Sequence, residues 1–314
     1  MKTQFFNKTN AIIEKIEAEM KMPVLVFWKS GNSIIDYSDI SALSKMISEI
    51  GNDKEICIII RTIGGNASAA MSIAHLFKDH FKNITFIISS ICLSAGTMVA
   101  LSGNKIEFTS SGYLGPIEPT TYLQDDEKWK AYSPTDFKHF LDGEEDDEKR
   151  KELYKDAGDK VGVLPVGKMM RLLKHEIKEG CSVVLRHMKN EKKAKKIIKK
   201  LMFGYSNHNF PIGLHEAKIL GLNAKQTSNK VSFLVTELNG LYSKFVEPKK
   251  KHLGNGEVEK IYLDDIFQTK GSQIFSITKF NYNTVLQIGE IAVKVKWIHK
   301  TKESEKKYIP ESGV

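Results

Sequence analysis

Two runs of this sequence, "EICIIIRT" (55–62) and "NITFIIS" (83–89), are apolar with almost none of the alternation expected of a half-exposed strand. A strand with one face in water alternates polar and apolar residues. A run of isoleucines needs cover on both faces, the condition found inside a parallel sheet with helices above and below. The intervening segments supply that cover. "YSDISALSKMISEI" (37–50) and "AAMSIAHLFKDHF" (69–81) carry helical apolar spacing, while "PVLVFW" (23–28) and "KIEFTS" (105–110) read as further strands. Strands alternating with helices over about residues 20–110 predict an α/β fold of right-handed βαβ units.

Beyond that region the pattern changes. The spacing predicts a helical segment over about 150–205 and a short helix in "GLHEAKILGLNAK" (213–225), closed by Gly221 and leading into a last strand. From residue 228 onward "KVSFLVTEL", "SQIFSITKF" and "EIAVKVKWI" alternate as strands do, with "EPKKKHLGNGE" (247–257) as a loop or linker. The expected organisation is therefore one α/β domain over 1–227 and a β-rich extension over 228–314.

Charge and cysteine content exclude several classes. Cys57, Cys92 and Cys181 are too few and too scattered for a disulfide framework or a metal cage, and no cofactor motif is present, so a reducing compartment and no metal are expected. The N-terminus has neither the apolar core nor the cleavage site of a secretory signal, and no apolar run reaches the ~18 to 20 residues of a membrane span. A soluble, cytoplasmic protein is expected. The net charge of +9 is uneven, with an acidic "DGEEDDE" (142–148) and a basic "RHMKNEKKAKKIIKK" (186–200). The basic stretch reads as a helix with one buried face and a lysine-coated one, and a surface for nucleic acid or an acidic partner is the alternative.

Two small-residue motifs carry the chemistry. "TIGGNAS" (62–68) and "LSAGTMVALS" (93–102) each follow a buried strand and open a helix. That places both at the carboxyl edge of the sheet, where α/β folds gather their sites. Gly64 and Gly65 can present bare backbone N–H groups, and Ser94 stands at the mouth of the helix starting near Ala95. Amides from Gly64 or Gly65 together with Ala95 could receive an oxyanion formed when Ser94 attacks a carbonyl. A serine in that position can equally serve as a helix N-cap.

The order strand–"TIGG"–helix, strand–"SAGT"–"ALSGNKIEF"–"LGPIEP", then helices and "HEAKILGL", resembles the serine dehydrogenase proteinase family over about residues 20–225. These are Clp-fold serine peptidases, related to signal-peptide peptidase A and the Clp protease subunit and more distantly to the crotonases. The resemblance implies a Clp/crotonase-like spiral of βαβ units, Ser94 as nucleophile, and an oxyanion hole built on the Gly64–Gly65 turn. It also implies a protein or peptide substrate and a homo-oligomer.

The chain departs from that pattern in two places. Ile63 stands where the family's glycine turn usually has proline, and no histidine lies at Ile117–Pro119, near where the Clp protease subunit has its base. A serine at neutral pH needs a neighbour to take its proton. By alignment from "HEAKILGL", His208 falls near the family's acidic position and is the candidate base. The lysine base of the signal-peptide peptidase relatives maps near Lys189, beside His187, and is the alternative, provided that burial lowers its pKa. His75, His80, His215, His252 and His299 lie elsewhere on the chain. Two other functions stay open, a catalytically silent scaffold or nucleic-acid-binding protein and a crotonase-type enzyme acting on acyl thioesters. The latter calls for acidic residues beside the glycine turn, which "IGGNASAA" lacks.

Overall fold

The computed structural model describes residues 2–51, 54–125, 128–247, 249–254, 257–283, 288–290 and 296–301. The first half alternates as expected: α1 (Lys2–Met20), β1 (Val24–Lys29), α2 (Ser38–Ile50), β2 (Glu55–Thr62), α3 (Ala67–His80), β3 (Asn83–Cys92), α4 (Ala95–Ala100) and β4 (Lys105–Phe108). A short β5 (Tyr113–Leu114) and the hairpin β6 (Thr121–Asp125) and β7 (Lys128–Tyr132) lead into four helices. These are α5 (Pro134–Asp142), α6 (Asp147–Val161), α7 (Val163–Leu185) and α8 (Glu191–Phe203). The chain closes with α9 (Leu214–Ile219), β8 (Ala224–Gln226), α10 (Asn229–Phe245), β9 (Lys249–Gly254), β10 (Glu257–Thr269), β11 (Ser272–Asn283), β12 (Ile288–Glu290) and β13 (Lys296–Thr301).

An 11-stranded mixed sheet organises the fold, its main path in the order β12-β11-β10-β1-β2-β3-β4-β8, while β6 and β7 form a separate two-stranded sheet. From β1 to β8 all neighbours are parallel, and β10 joins antiparallel at the open edge of β1. The apolar runs are explained by the two cores they serve. In β2, Ile56, Ile58 and Ile60 point into a cluster with α2, α3, α4, α7 and α8, whereas Cys57 and Ile59 point into one with α1 and α10. Each such side chain taken fully from water contributes roughly 1.5–3 kcal/mol, so neither face tolerates the polar residue that alternation would place there.

Three expectations are corrected. "KVSFLVTEL" lies in α10, not a strand: Val231, Leu234, Val235, Leu238 and Tyr242 are buried at helical spacing, and Ser228 caps the first turn by accepting from the Val231 amide. The short alternation read as a strand was part of a 17-residue helical period. Residues 249–254, expected as loop, form β9, paired antiparallel with β10. Third, the basic 186–200 stretch is not one helix. Alpha-helix α7 ends at Leu185, and α8 starts after Asn190, whose side chain accepts from the Lys193 amide. Within α8 the buried face of Ala194, Ile197, Ile198, Leu201 and Met202 and the lysine-coated opposite face are as expected.

Candidate active site

The ends of β2 and β3 lie side by side, with Thr62 paired to Cys92 and the Leu93 amide donating to the Thr62 carbonyl at 3.1 Å. Both small-residue turns therefore leave the sheet at one place. An ideal Cβ on Gly64 would stand 2.9 Å from Ser94 Cβ and 2.8 Å from the Leu93 carbonyl oxygen, so only glycine admits this approach. The φ of +102° at Gly64 and +146° at Gly65 adds a second reason. The Gly64 amide donates to Thr62 Oγ1 at 3.1 Å, and its carbonyl accepts from the Ile35 amide at 2.7 Å. Gly64 thus shapes the turn, while the Gly65 N–H has no acceptor among the described residues.

Ser94 adopts φ +50°, ψ −116°, and shares positive φ with only one other described non-glycine residue, Lys21. Its side chain makes no capping bond to α4, so the N-cap role that the sequence left open is not taken up. A non-glycine residue held in such backbone geometry costs of order 1–3 kcal/mol and persists only where the surroundings over-determine it. Those surroundings are visible. Thr97 Oγ1 donates to the carbonyls of Cys92 (3.0 Å) or Gly115 (2.7 Å), tying α4 to the strand end and to the segment after β5. Gly96 lets α4 settle on Thr62, whose Cγ2 would lie 2.4 Å from an added Cβ.

A cavity of about 490 Å³ opens over this junction, and Gly65, Ser94, Ala95, Glu118, Glu176 and His208 are among its lining. The elements that bring His208 there start from a two-way backbone pairing of Leu114 with Ile212, at 2.9 and 2.8 Å. It aligns the "LGPIEP" segment with the loop after α8. His208 Nδ1 then lies 3.0 Å from Glu118 Oε2. Glu118 is itself held, its Oε1 accepting from Ser133 Oγ at 2.6 Å and Thr135 Oγ1 at 3.1 Å. The sequence did not single out Glu118. It stands in the motif noted for lacking a histidine, so the motif drew notice for what it lacked and its carboxylate was passed over.

The structure does not bring Lys189 to this place. It is exposed in the turn between α7 and α8, outside the residues lining the cavity, and the burial a lysine base requires is not met there. His187 is half-buried in a different cavity, its Nε2 2.8 Å from the Leu101 carbonyl, and burial pushes its pKa down.

Behind the glycine turn lies a buried ion cluster. Lys29 Nζ is 2.8 Å from Asp39 Oδ1 and 2.8 Å from Asp265 Oδ1, with Lys29 only 1% exposed. Burial alone would lower the Lys29 pKa, but Asp265 and Asp39 outweigh it and raise it. Asp39 is pushed up to about 7 by burial, against the pull of Lys29 and with Asp265 adding to the rise. Asp39 also accepts from the Asp36 amide at 3.0 Å, which fixes the strand-to-helix loop whose Ile35 pairs with the glycine turn.

Among the described residues, no group of three or more His, Cys, Asp or Glu could hold a metal ion, and no helix is long and apolar enough to cross a membrane. Two uncharacterized proteins of Methanocaldococcus jannaschii are similar to this chain. One is 26% identical over 206 residues, covering 65% of each chain, and the other 27% over 211 residues, covering 66% of this chain and 64% of its own. The chain thus spans a little under two thirds of the length of these relatives. Among solved structures, ClpP1 from Listeria monocytogenes is similar at 14% identity, with a TM-score of 0.36, over 73% of this chain and 97% of that one. Residues 11–131, which hold the glycine turn, Ser94 and Glu118, match the model of the ClpP-like SDH-type serine proteinases, and over that span the chain is similar to this family.

Proposed function

We propose that this protein is a serine peptidase in which Ser94 forms an acyl-enzyme with a peptide carbonyl. The observation that carries the reading is the state of Ser94. It is held at positive φ on a strand-to-helix turn, free of any capping bond, and faces a cavity that also receives His208. A strained turn of this kind lifts a serine hydroxyl out of the backbone and towards substrate.

The roles follow from the contacts. His208 accepts the Ser94 proton as the substrate carbonyl is attacked, then returns it to the leaving amine. Glu118, with Oε2 3.0 Å from Nδ1, stabilises the imidazolium formed as the ring takes the Ser94 proton. The Gly65 and Ala95 N–H groups receive the tetrahedral oxyanion, with Gly64 setting the turn that aims them. Water then takes the place of the amine and hydrolyses the acyl-enzyme. The substrate is a protein or peptide, and by the same relationship the active form is a homo-oligomer. Within 228–314, strand β10 joins the same sheet beside β1, and the role of this extension is oligomer contact, substrate gating or partner docking.

The test is labelling with a fluorophosphonate, followed by peptide mapping. The expected result is a single adduct on Ser94, lost in Ser94→Ala. Absence of labelling in a folded wild-type protein, or equal labelling of the variant, overturns the assignment.

A further inference from the structure

One carboxylate in the cavity has no part in this scheme. Glu176, on α7 one turn after Leu172, lines the same space as Ser94 and is only 6% exposed. It makes no hydrogen bond or ion pair with any described residue, in contrast to Glu118, whose oxygens are engaged by Ser133, Thr135 and His208. A carboxylate largely withdrawn from water, open only to a ligand cavity and without a partner in the protein, leaves the counter-charge to be supplied from outside. Burial raises its pKa, with His175 opposing the rise and Glu179 adding to it.

The rest of the lining agrees. Among the described residues that line the cavity there is no lysine or arginine, and the only other carboxylate is Glu118. The remainder is apolar or neutral apart from His208, with Ile34 and Tyr122 exposed at its edge. Such a space repels an acidic side chain and gives an apolar one no reason to prefer a site ending in an unpaired carboxylate.

We propose that Glu176 is a specificity-determining residue whose carboxylate receives a cationic group of the peptide substrate, either a lysine or arginine side chain or a free α-amino group. The inference rests on Ser94 being the nucleophile. A buried carboxylate that meets its counter-charge only in the complex discriminates by leaving itself unpaired when a neutral analogue binds, the asymmetry by which polar sites reject the wrong substrate.

The experiment has two parts on the full chain. Fluorophosphonate labelling of wild type at Ser94 first establishes the nucleophile, and its failure removes the parent reading rather than this one. With labelling in hand, protection of Ser94 is measured with agmatine and with a neutral analogue of matched length. Fluorogenic peptides carrying Lys, Arg, Leu or Glu at each position in turn, with free or acetylated N-termini, are compared in parallel. The expected result is protection by agmatine alone and a kcat/KM preference of at least about tenfold for the cationic partner. That preference is expected to collapse in Glu176→Gln and to survive partly in Glu176→Asp. A preference confined to free N-termini assigns the site to the α-amino group, and one that follows Lys or Arg assigns it to the side chain. Equal protection by both compounds together with no charge preference in wild type, or an unchanged preference in a folded Glu176→Gln, overturns the proposal.

Discussion

Replacing Gly64 by alanine tests whether the glycine turn and Ser94, the proposed nucleophile, form one rigid unit. The added Cβ would lie 2.8 Å from the Leu93 carbonyl oxygen, 2.9 Å from Ser94 Cβ and 3.3 Å from the Ala95 amide nitrogen, where ordinary contact begins near 3.4 Å. Two of those three neighbours are backbone atoms of the turn that carries Ser94, and the third is the first atom of its side chain. Relief therefore needs a displacement of roughly half an ångström at Ser94, on top of about 1–3 kcal/mol for alanine at a φ of +102°. A misplacement of about 1 Å costs on the order of a hundredfold in rate, so a loss of roughly ten- to a hundredfold is expected. The assay is the second-order rate constant for fluorophosphonate labelling, with thermal unfolding measured alongside. Gly31→Ala is the control, because nothing lies within 4 Å of its added Cβ. It is expected to leave both quantities unchanged. A folded Gly64→Ala protein labelling within about twofold of wild type would show that the turn does not position Ser94, and the reasoning would fail.

Other perturbations probe separate parts of the site. Ser94→Gly relieves the positive φ and is expected to be about 1 kcal/mol more stable than Ser94→Ala, with neither labelled; equal denaturation midpoints would remove the argument from strain. His208→Ala is expected to slow labelling by about 10²–10⁴-fold, and Glu118→Gln by less, with unfolding midpoints close to wild type in both; unaltered rates would clear both residues of a catalytic role. Lys29→Met leaves Asp39 and Asp265 buried without their cation, and a loss of about 3–5 kcal/mol in denaturant unfolding is expected. Asp39 is protonated more readily when folded, its pKa moving from 3.8 to about 7. The folded state then binds the extra proton between those values, and the contribution of Asp39 to stability is full at low pH and lost as pH rises through about 7. Asp39→Asn is expected to flatten that part of the stability profile, and an unchanged slope would assign it to another group.

The parallel half of the sheet was legible because its strands are buried on both faces. Side chains such as Ile58 and Ile59 enter two different cores from one strand, and no other arrangement accommodates the run that contains them. Alpha-helix α10 was misread because a nine-residue window sees Val231, Phe233 and Val235 as alternation, whereas Phe233 is 70% exposed and the true period needs Leu238 and Tyr242 to declare itself. The turns carrying Gly64 and Ser94 could be located from local chemistry, since each joins a buried strand to a helix. Their mutual approach could not, because it depends on the pairing of Thr62 with Cys92. The partnership of Glu118 with His208 was more distant still, spanning two loops brought together by the pairing of Leu114 with Ile212.

The same dependence on remote pairing explains why the strain at Ser94 can be kept. A cost of about 1–3 kcal/mol at one residue would melt a turn held by local bonds alone. Here the turn is clamped from three directions by elements whose own stability lies elsewhere. Thr97 fixes α4 to the segment after β5, and Gly96 seats it on β2. From behind, Ile35 holds the glycine turn, and the loop bearing Ile35 is fixed through Asp39 to Lys29. Lys29 also binds Asp265 of β10, and Ser276 of β11 donates to Asp265 at 2.7 Å. Strands from the far end of the chain thus supply the second carboxylate of a cluster whose loop braces the Gly65 amide. A serine that needs both a strained backbone and an unpartnered amide beside it must draw on such distant support, since any local group able to relax the turn would also satisfy the donors that it keeps free.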